Sequence, residues 1–123
     1  MNRARFELLV KKALDGLPDE FRRHIADVSV VVQDRPTRDQ LARWAIEAED
    51  EDLLGFYDGV PLTERSTLHD GVVSDVIYVF REPHLDVCDT DEDLCEEIRR
   101  TVVHEVAHHF GLDDDRIDEL GYA

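Results

Sequence analysis

Apolar residues recur at Phe6, Leu9, Val10, Ala13, Leu14 and Leu17, the i, i+3, i+4, i+7, i+8, i+11 spacing of one helical face. Gly16 and Pro18 close that stripe. Pro18-Asp19-Glu20-Phe21 predicts a short second helical turn with proline at its first position. Val28-Ser29-Val30-Val31-Val32 is β-branched and nearly continuous, the pattern of a strand buried on both faces. From Pro36 to Glu49 the period is helical again, with Leu41, Trp44, Ala45 and Ala48 on one side. The acidic run Glu49-Asp50-Glu51-Asp52 that follows is read as a solvated helix end or loop. It has neither the glycine nor the alternating ligands of a calcium loop.

Leu53-Leu54-Gly55-Phe56-Tyr57 then predicts a strand entering a turn at Asp58-Gly59. Val72-Val73 and Val76-Ile77-Tyr78-Val79-Phe80 carry the last strand signal, which stops before Pro83. Thr90 and Asp93 have the spacing of a capping box, with Asp in place of the usual Glu or Gln. The helix they open can run to Phe110, where Gly111 offers a left-handed cap, and a short helix around Arg116–Leu120 closes the chain. Helix-strand-helix-strand-strand-helix order, with no internal repeat and no linker, predicts an α+β fold in one domain over residues 1–123.

Composition narrows the function. The apolar fraction of 42% supports a packed core, and 123 residues suffice for one such core but not two. The formal net charge is −16, from 30 acidic against 14 basic side chains, which argues against nucleic acid or an anionic membrane as partner. No stretch approaches the roughly 18 apolar residues of a membrane span. The basic start resembles a signal peptide, but Glu7, Lys11 and Lys12 interrupt its apolar run and no small-residue cleavage site follows; a cytoplasmic location is expected. Cys88 and Cys95 are accordingly expected as free thiols.

The chemistry concentrates in His104-Glu105-Val106-Ala107-His108-His109-Phe110-Gly111-Leu112-Asp113-Asp114. Histidines at i and i+4 leave one helix face a turn apart, so two imidazoles can reach one metal ion without bending the backbone. Glu105 lies beside that face, where a carboxylate can take a proton from a metal-activated water without being a ligand. A catalytic zinc site needs a third protein ligand and an open position. Gly111 can end the helix and turn the chain back, and the residue ten positions after the first histidine is Asp114, an oxygen donor suited to zinc. Asp113 and Asp115 flank it and could exchange roles with it or support an imidazole. On a helical wheel Leu94, Ile98, Val102 and Val106 form the core stripe, with His104 and His108 beside it; His109 falls inside the stripe, as a packed or supporting residue and not a ligand.

His104-Glu105-x-x-His108-x-x-Gly111-x-x-Asp114 resembles the zincin signature in its HExxHxxGxxD form. The chain as a whole resembles the small bacterial zincin-like, or minimal, metallopeptidases. The likeness is strongest over Asp52–Arg65 (DLLGFYDGVPLTER), Ile77–Pro83 and Arg99–Gly121. It implies a reduced zincin fold, a small sheet packed on helices with the active-site helix near the C-terminus. It also implies zinc (Zn2+) on His104, His108 and Asp114 and Glu105 as general base. Unlike the larger metzincins, the chain has Asp and not His as third ligand, and its sole methionine, Met1, cannot form a methionine turn. Nine residues follow Asp114, so the resemblance implies a shallow cleft or one completed by another subunit.

The expected function is therefore a zinc-dependent peptidase acting on a peptide or protein substrate. The acidic clusters Glu47–Asp52, Asp86–Glu97 and Asp113–Glu119 favour a basic one. The alternatives are a non-catalytic zinc-binding module, which would not require Glu105, and a metal-dependent nuclease, which the charge opposes. The substrate strand is expected to pair along Val76–Phe80, and Tyr57, Tyr78, Tyr122 and His69 are open candidates for stabilising the oxyanion.

Overall fold

In a computed structural model the described residues are 1–26, 28–44, 53–59, 75–111 and 114–119, with 114 and 116 described by their backbone only. Helix α1 (Arg3–Asp15) starts where the Asn2 side chain accepts the Arg5 N–H and ends at Gly16. Helix α2 (Asp19–Ile25) has Pro18 as its cap, one position earlier than expected. Strand β1 (Ser29–Gln33) precedes α3 (Arg38–Arg43). A reciprocal capping box opens α3: the Thr37 hydroxyl accepts the Gln40 N–H and the Gln40 side chain accepts the Thr37 N–H. Trp44 caps the far end of α3, and the expected continuation through Ala45, Ala48 and the acidic run lies outside the described residues, as does Val72-Val73. Then come β2 (Gly55–Asp58), β3 (Val76–Phe80), α4 (Arg81–Val87), α5 (Asp91–Phe110) and α6 (Asp114–Glu119).

The strands form a mixed sheet in the order β1-β3-β2, with β1 parallel and β2 antiparallel to β3. This α+β arrangement meets the expectation for the fold class and corrects two readings of the strands. Val76–Phe80 is the central strand, hydrogen-bonded on both sides, so it cannot pair with a substrate. Strand β1 lies at an edge and is not buried on both faces: Val31 is exposed, and a groove of about 510 Å3 separates β1 from α1. Its β-branched residues mark an extended backbone, which by itself does not specify cover.

One face of the sheet carries the core. Ile77 and Val79 of β3 and Tyr57 of β2 meet the buried stripe of α5, Leu94, Ile98, Val102 and Val106. The other side of α5 receives Phe6, Val10 and Ala13 of α1 and Phe21 of α2. Each Val, Leu, Ile or Phe among them contributes about 1.5–3 kcal/mol on burial, so α5 is held from both sides. The Arg99 Nε–H also donates to the Ala13 carbonyl at 3.2 Å, fastening α5 to the end of α1. On the opposite face, Trp44 stacks on Phe56 at 4.2 Å between ring centroids and leans on Tyr78 and Phe80. Cys88 and Cys95 are free, as expected. Among the described residues no helix is long and apolar enough to cross a membrane.

Helix α4 is absent from the sequence expectations because Pro83 reads there as a stop. It occupies the first turn, where a missing N–H leaves no helical hydrogen bond unmade. The helix carries His84 fully into the interior. Its Nδ1–H donates to the Phe80 carbonyl at 2.7 Å, and Nε2 faces the Thr101 hydroxyl of α5 at 3.0 Å. Burial lowers the pKa of His84 below its usual 6.5, opposed by the Phe80 carbonyl and the charge of Glu97. The folded chain therefore holds a neutral ring where the unfolded chain binds a proton. The stability this contributes is complete above pH 6.5 and is lost as pH falls below it. Urea unfolding should show stability declining from pH 6.5 towards 5, by up to about 1.4 kcal/mol per unit for this one proton. His84→Gln should flatten that decline, and equal slopes in the two proteins would refute the assignment.

Candidate metal centre

Helix α5 runs 20 residues, about 30 Å, from a Thr90 cap whose hydroxyl accepts the Asp93 N–H at 3.1 Å. Thr90 thus caps the helix as expected. Asp91, Glu92 and Asp93 place negative charge at its positive end. His104 and His108 stand one turn apart and exposed, beside the buried stripe, as their spacing requires. Glu105 is half-buried next to them. Burial raises its pKa above the usual carboxylate value; the facing backbone amide of Tyr57 and the charges of His108 and His104 oppose the rise. The carboxylate is thus a stronger base than one in water, and it lies beneath strand β2.

At Gly111 the backbone enters the left-handed region, φ 71° and ψ 24°, and the Gly111 N–H donates to the Ala107 carbonyl. The next described element, α6, begins at Asp114. Two expected ligands, His104 and His108, are therefore on one helix face, and the third is the first residue of the element after the turn. The side chain of Asp114 and all of Asp113 lie outside the described residues, whereas Asp115 is exposed. Among the described residues no three metal-binding side chains gather around one point. Paired imidazoles beside a partly desolvated carboxylate are chemically suited to a borderline-soft divalent cation.

Strand β2 approaches α5 closely because residue 55 has no side chain. A Cβ on Gly55 would lie 2.5 Å from Cγ2 of Thr101 and 2.8 Å from the Tyr78 carbonyl oxygen. Two residues on, the Tyr57 ring stacks on His109 at 3.9 Å, and its hydroxyl donates to Asp75 Oδ2 at 2.6 Å. His109 is not inside the core stripe as the wheel predicts: it is exposed, with 38% of its side chain accessible, and its Nε2 lies 4.0 Å from Asp75 Oδ2. The helix end stands clear of the core, so a wheel position that is buried at Val102 is open at His109.

These contacts also thin the candidates for an oxyanion donor. The Tyr57 hydroxyl is engaged by Asp75, and Tyr78 stacks with Phe80 on the face away from α5. Tyr122 and His69 lie outside the described residues. Asp75 is absent from the sequence expectations. It sits at no recognisable spacing from the motif, and its partners are 18 and 34 positions away, so no local pattern could have revealed it.

A mixed three-stranded sheet backed by a long helix with HExxH in its last turns defines a class, the zincins. A family model described as zincin-like metallopeptidase matches residues 25–122, and the chain belongs to that family. Among solved structures it is similar to a conserved hypothetical protein (TTHA0227) from Thermo thermophilus. The two share 22% identity, with 89% of this chain and 94% of the other covered and a TM-score of 0.55, a likeness of fold. No curated protein matches the chain.

The fit of β2 against α5 is testable. Gly55→Ala should destabilise the protein by about 1–3 kcal/mol in urea unfolding, because both neighbours of the new methyl are fixed by the core. Adding Thr101→Ser should recover part of that loss, since it removes the nearer neighbour, Cγ2. An unchanged unfolding midpoint in Gly55→Ala would contradict the close approach.

Proposed function

We propose that the chain is a zinc-dependent peptidase, with His104, His108 and Asp114 as ligands and Glu105 as general base. The observation that carries this reading is Glu105, half-buried under β2 between two exposed imidazoles on the same helix. Zinc held there would supply Lewis acidity and lower the pKa of a water to near neutrality. Glu105 takes the proton of the attacking water and returns it to the leaving amine. Burial raises its proton affinity above that of a carboxylate in water, which favours its taking the proton. Burial against β2 also limits the rotamers Glu105 can visit, so the carboxylate is oriented before substrate arrives.

Strand β2 replaces Val76–Phe80 as the partner of the substrate. The Phe80 N–H donates to the Leu54 carbonyl, and the alternation of an antiparallel ladder then turns the amide of Gly55 away from β3, on the side where the Tyr57 amide faces Glu105. A peptide pairing main chain to main chain along that side would run beside Glu105 and need no deep pocket. The −16 charge favours a basic peptide as this substrate.

Zinc content and hydrolysis of a mixed peptide library should be measured for the wild type, Glu105→Gln and His108→Ala. Glu105→Gln should keep zinc and lose turnover by about 10²–10⁴-fold, while His108→Ala should lose both. Three proteins that purify without zinc and cannot be loaded with it would sink the proposal. Wild type that holds zinc and cleaves nothing would make the chain a zinc-binding module instead.

A further inference from the structure

Around the last turn of α5 lies a set of polar and aromatic contacts that the proposed chemistry does not use. Asp75 is at its centre. The Asp75 backbone carbonyl accepts the Ser29 N–H of β1 at 2.9 Å, which fixes the residue just ahead of β3. Its side chain, 12% accessible, accepts the Tyr57 hydroxyl of β2 at 2.6 Å and reaches the His109 ring of α5. Tyr57 and His109 are themselves stacked, with 17° between their planes. Phe110 meets both rings edge-on, and His24 of α2 stacks on Phe110 at 4.4 Å. Strand β2, the residue just ahead of β3 and helix α2 thus meet at His109 and Phe110, the residues directly after His108.

A helix end is where backbone order is ordinarily lost, because its last carbonyls have no helical partners. His108 sits in that last turn, and the helix ends at the left-handed Gly111 immediately beyond it. Packing of apolar side chains alone would suffice to cover such an end. A carboxylate withdrawn from water instead carries a desolvation cost, offset here by the hydrogen bond from Tyr57 and the nearby imidazole. The bonded carboxylate also fixes direction, which packing does not: with the Tyr57 hydroxyl held, the ring over which His109 stacks cannot tilt.

We propose that Asp75, acting through Tyr57 and His109, is a positioning residue that fixes the last turn of α5 and hence the direction of the His108 imidazole towards a bound metal. This inference rests on the metal-binding reading of His104 and His108. Asp75 touches neither metal nor substrate; it determines how well the ligand set is organised before the ion arrives.

The test compares wild type, Asp75→Ala and Asp75→Asn, the last of which keeps an oxygen to accept the Tyr57 hydroxyl. Zinc affinity is read by competition with a chromophoric chelator, and amide hydrogen exchange at residues 108–111 is read in the metal-free proteins. Asp75→Ala should weaken zinc binding about tenfold and speed exchange about tenfold, and Asp75→Asn should restore both to within about threefold of wild type. Wild-type behaviour of Asp75→Ala in both measurements would overturn the proposal. So would equal impairment of the two variants with a shared drop in melting temperature, the mark of a merely structural residue. If the wild type itself takes up no zinc, the metal-binding reading fails separately. The exchange comparison then decides alone whether Asp75 holds the helix end.

Discussion

The closeness of β2 to α5 is the constraint on which the rest of the site depends. It exists because Gly55 presents no side chain to Thr101, one turn ahead of Glu105. With the strand held that near, Glu105 is half-covered and its proton affinity rises, while His104 and His108 on the adjoining strip stay open. Thr101 has a second partner. Its hydroxyl lies 3.0 Å from Nε2 of the buried His84 and 2.9 Å from the Glu97 carbonyl. The same helical turn therefore receives β2 on its methyl and α4 on its hydroxyl, and that side of α5 is fixed from two directions.

Electrostatics adds direction to this framework more than it adds stability. The described ion pairs, such as Arg5 with Asp91 and Arg35 with Glu82, are largely exposed and contribute little. The acidic first turn of α5 complements the positive end of the helix dipole, and the opposite end, where His108 stands, favours a cation. Folding is driven chiefly by the apolar seam between α1, α5 and the sheet, and the acidic surface is left to set solubility and the charge of partners.

How much was legible in the sequence depended on how local the signal was. Helix α5, its Thr90 cap and the left-handed cap at Gly111 were readable because each is written in spacing or in a residue with one conformational role. Helix α4 was missed because a proline is tolerated in a first turn and looks the same as a proline that stops a strand. The capping box of α3 was overlooked although Thr37 and Gln40 spell it out. Strand order was not readable: Val28–Val32 and Val76–Phe80 are both short, largely apolar runs, yet one lies at an edge and the other in the centre. The contacts of Asp75 with Tyr57 and His109 arise only from the tertiary fold. The spacing of the two histidines, by contrast, is written in the sequence itself.

The most direct test of the proposed metal centre is an anomalous-scattering map of zinc-loaded crystals, recorded on both sides of the zinc absorption edge. A single strong peak is expected about 2.0–2.2 Å from a ring nitrogen of His104, a ring nitrogen of His108 and a carboxylate oxygen of Asp114, with Glu105 outside bonding distance. A peak bound elsewhere on the acidic surface, with His104 and His108 free of metal, would contradict the proposed centre.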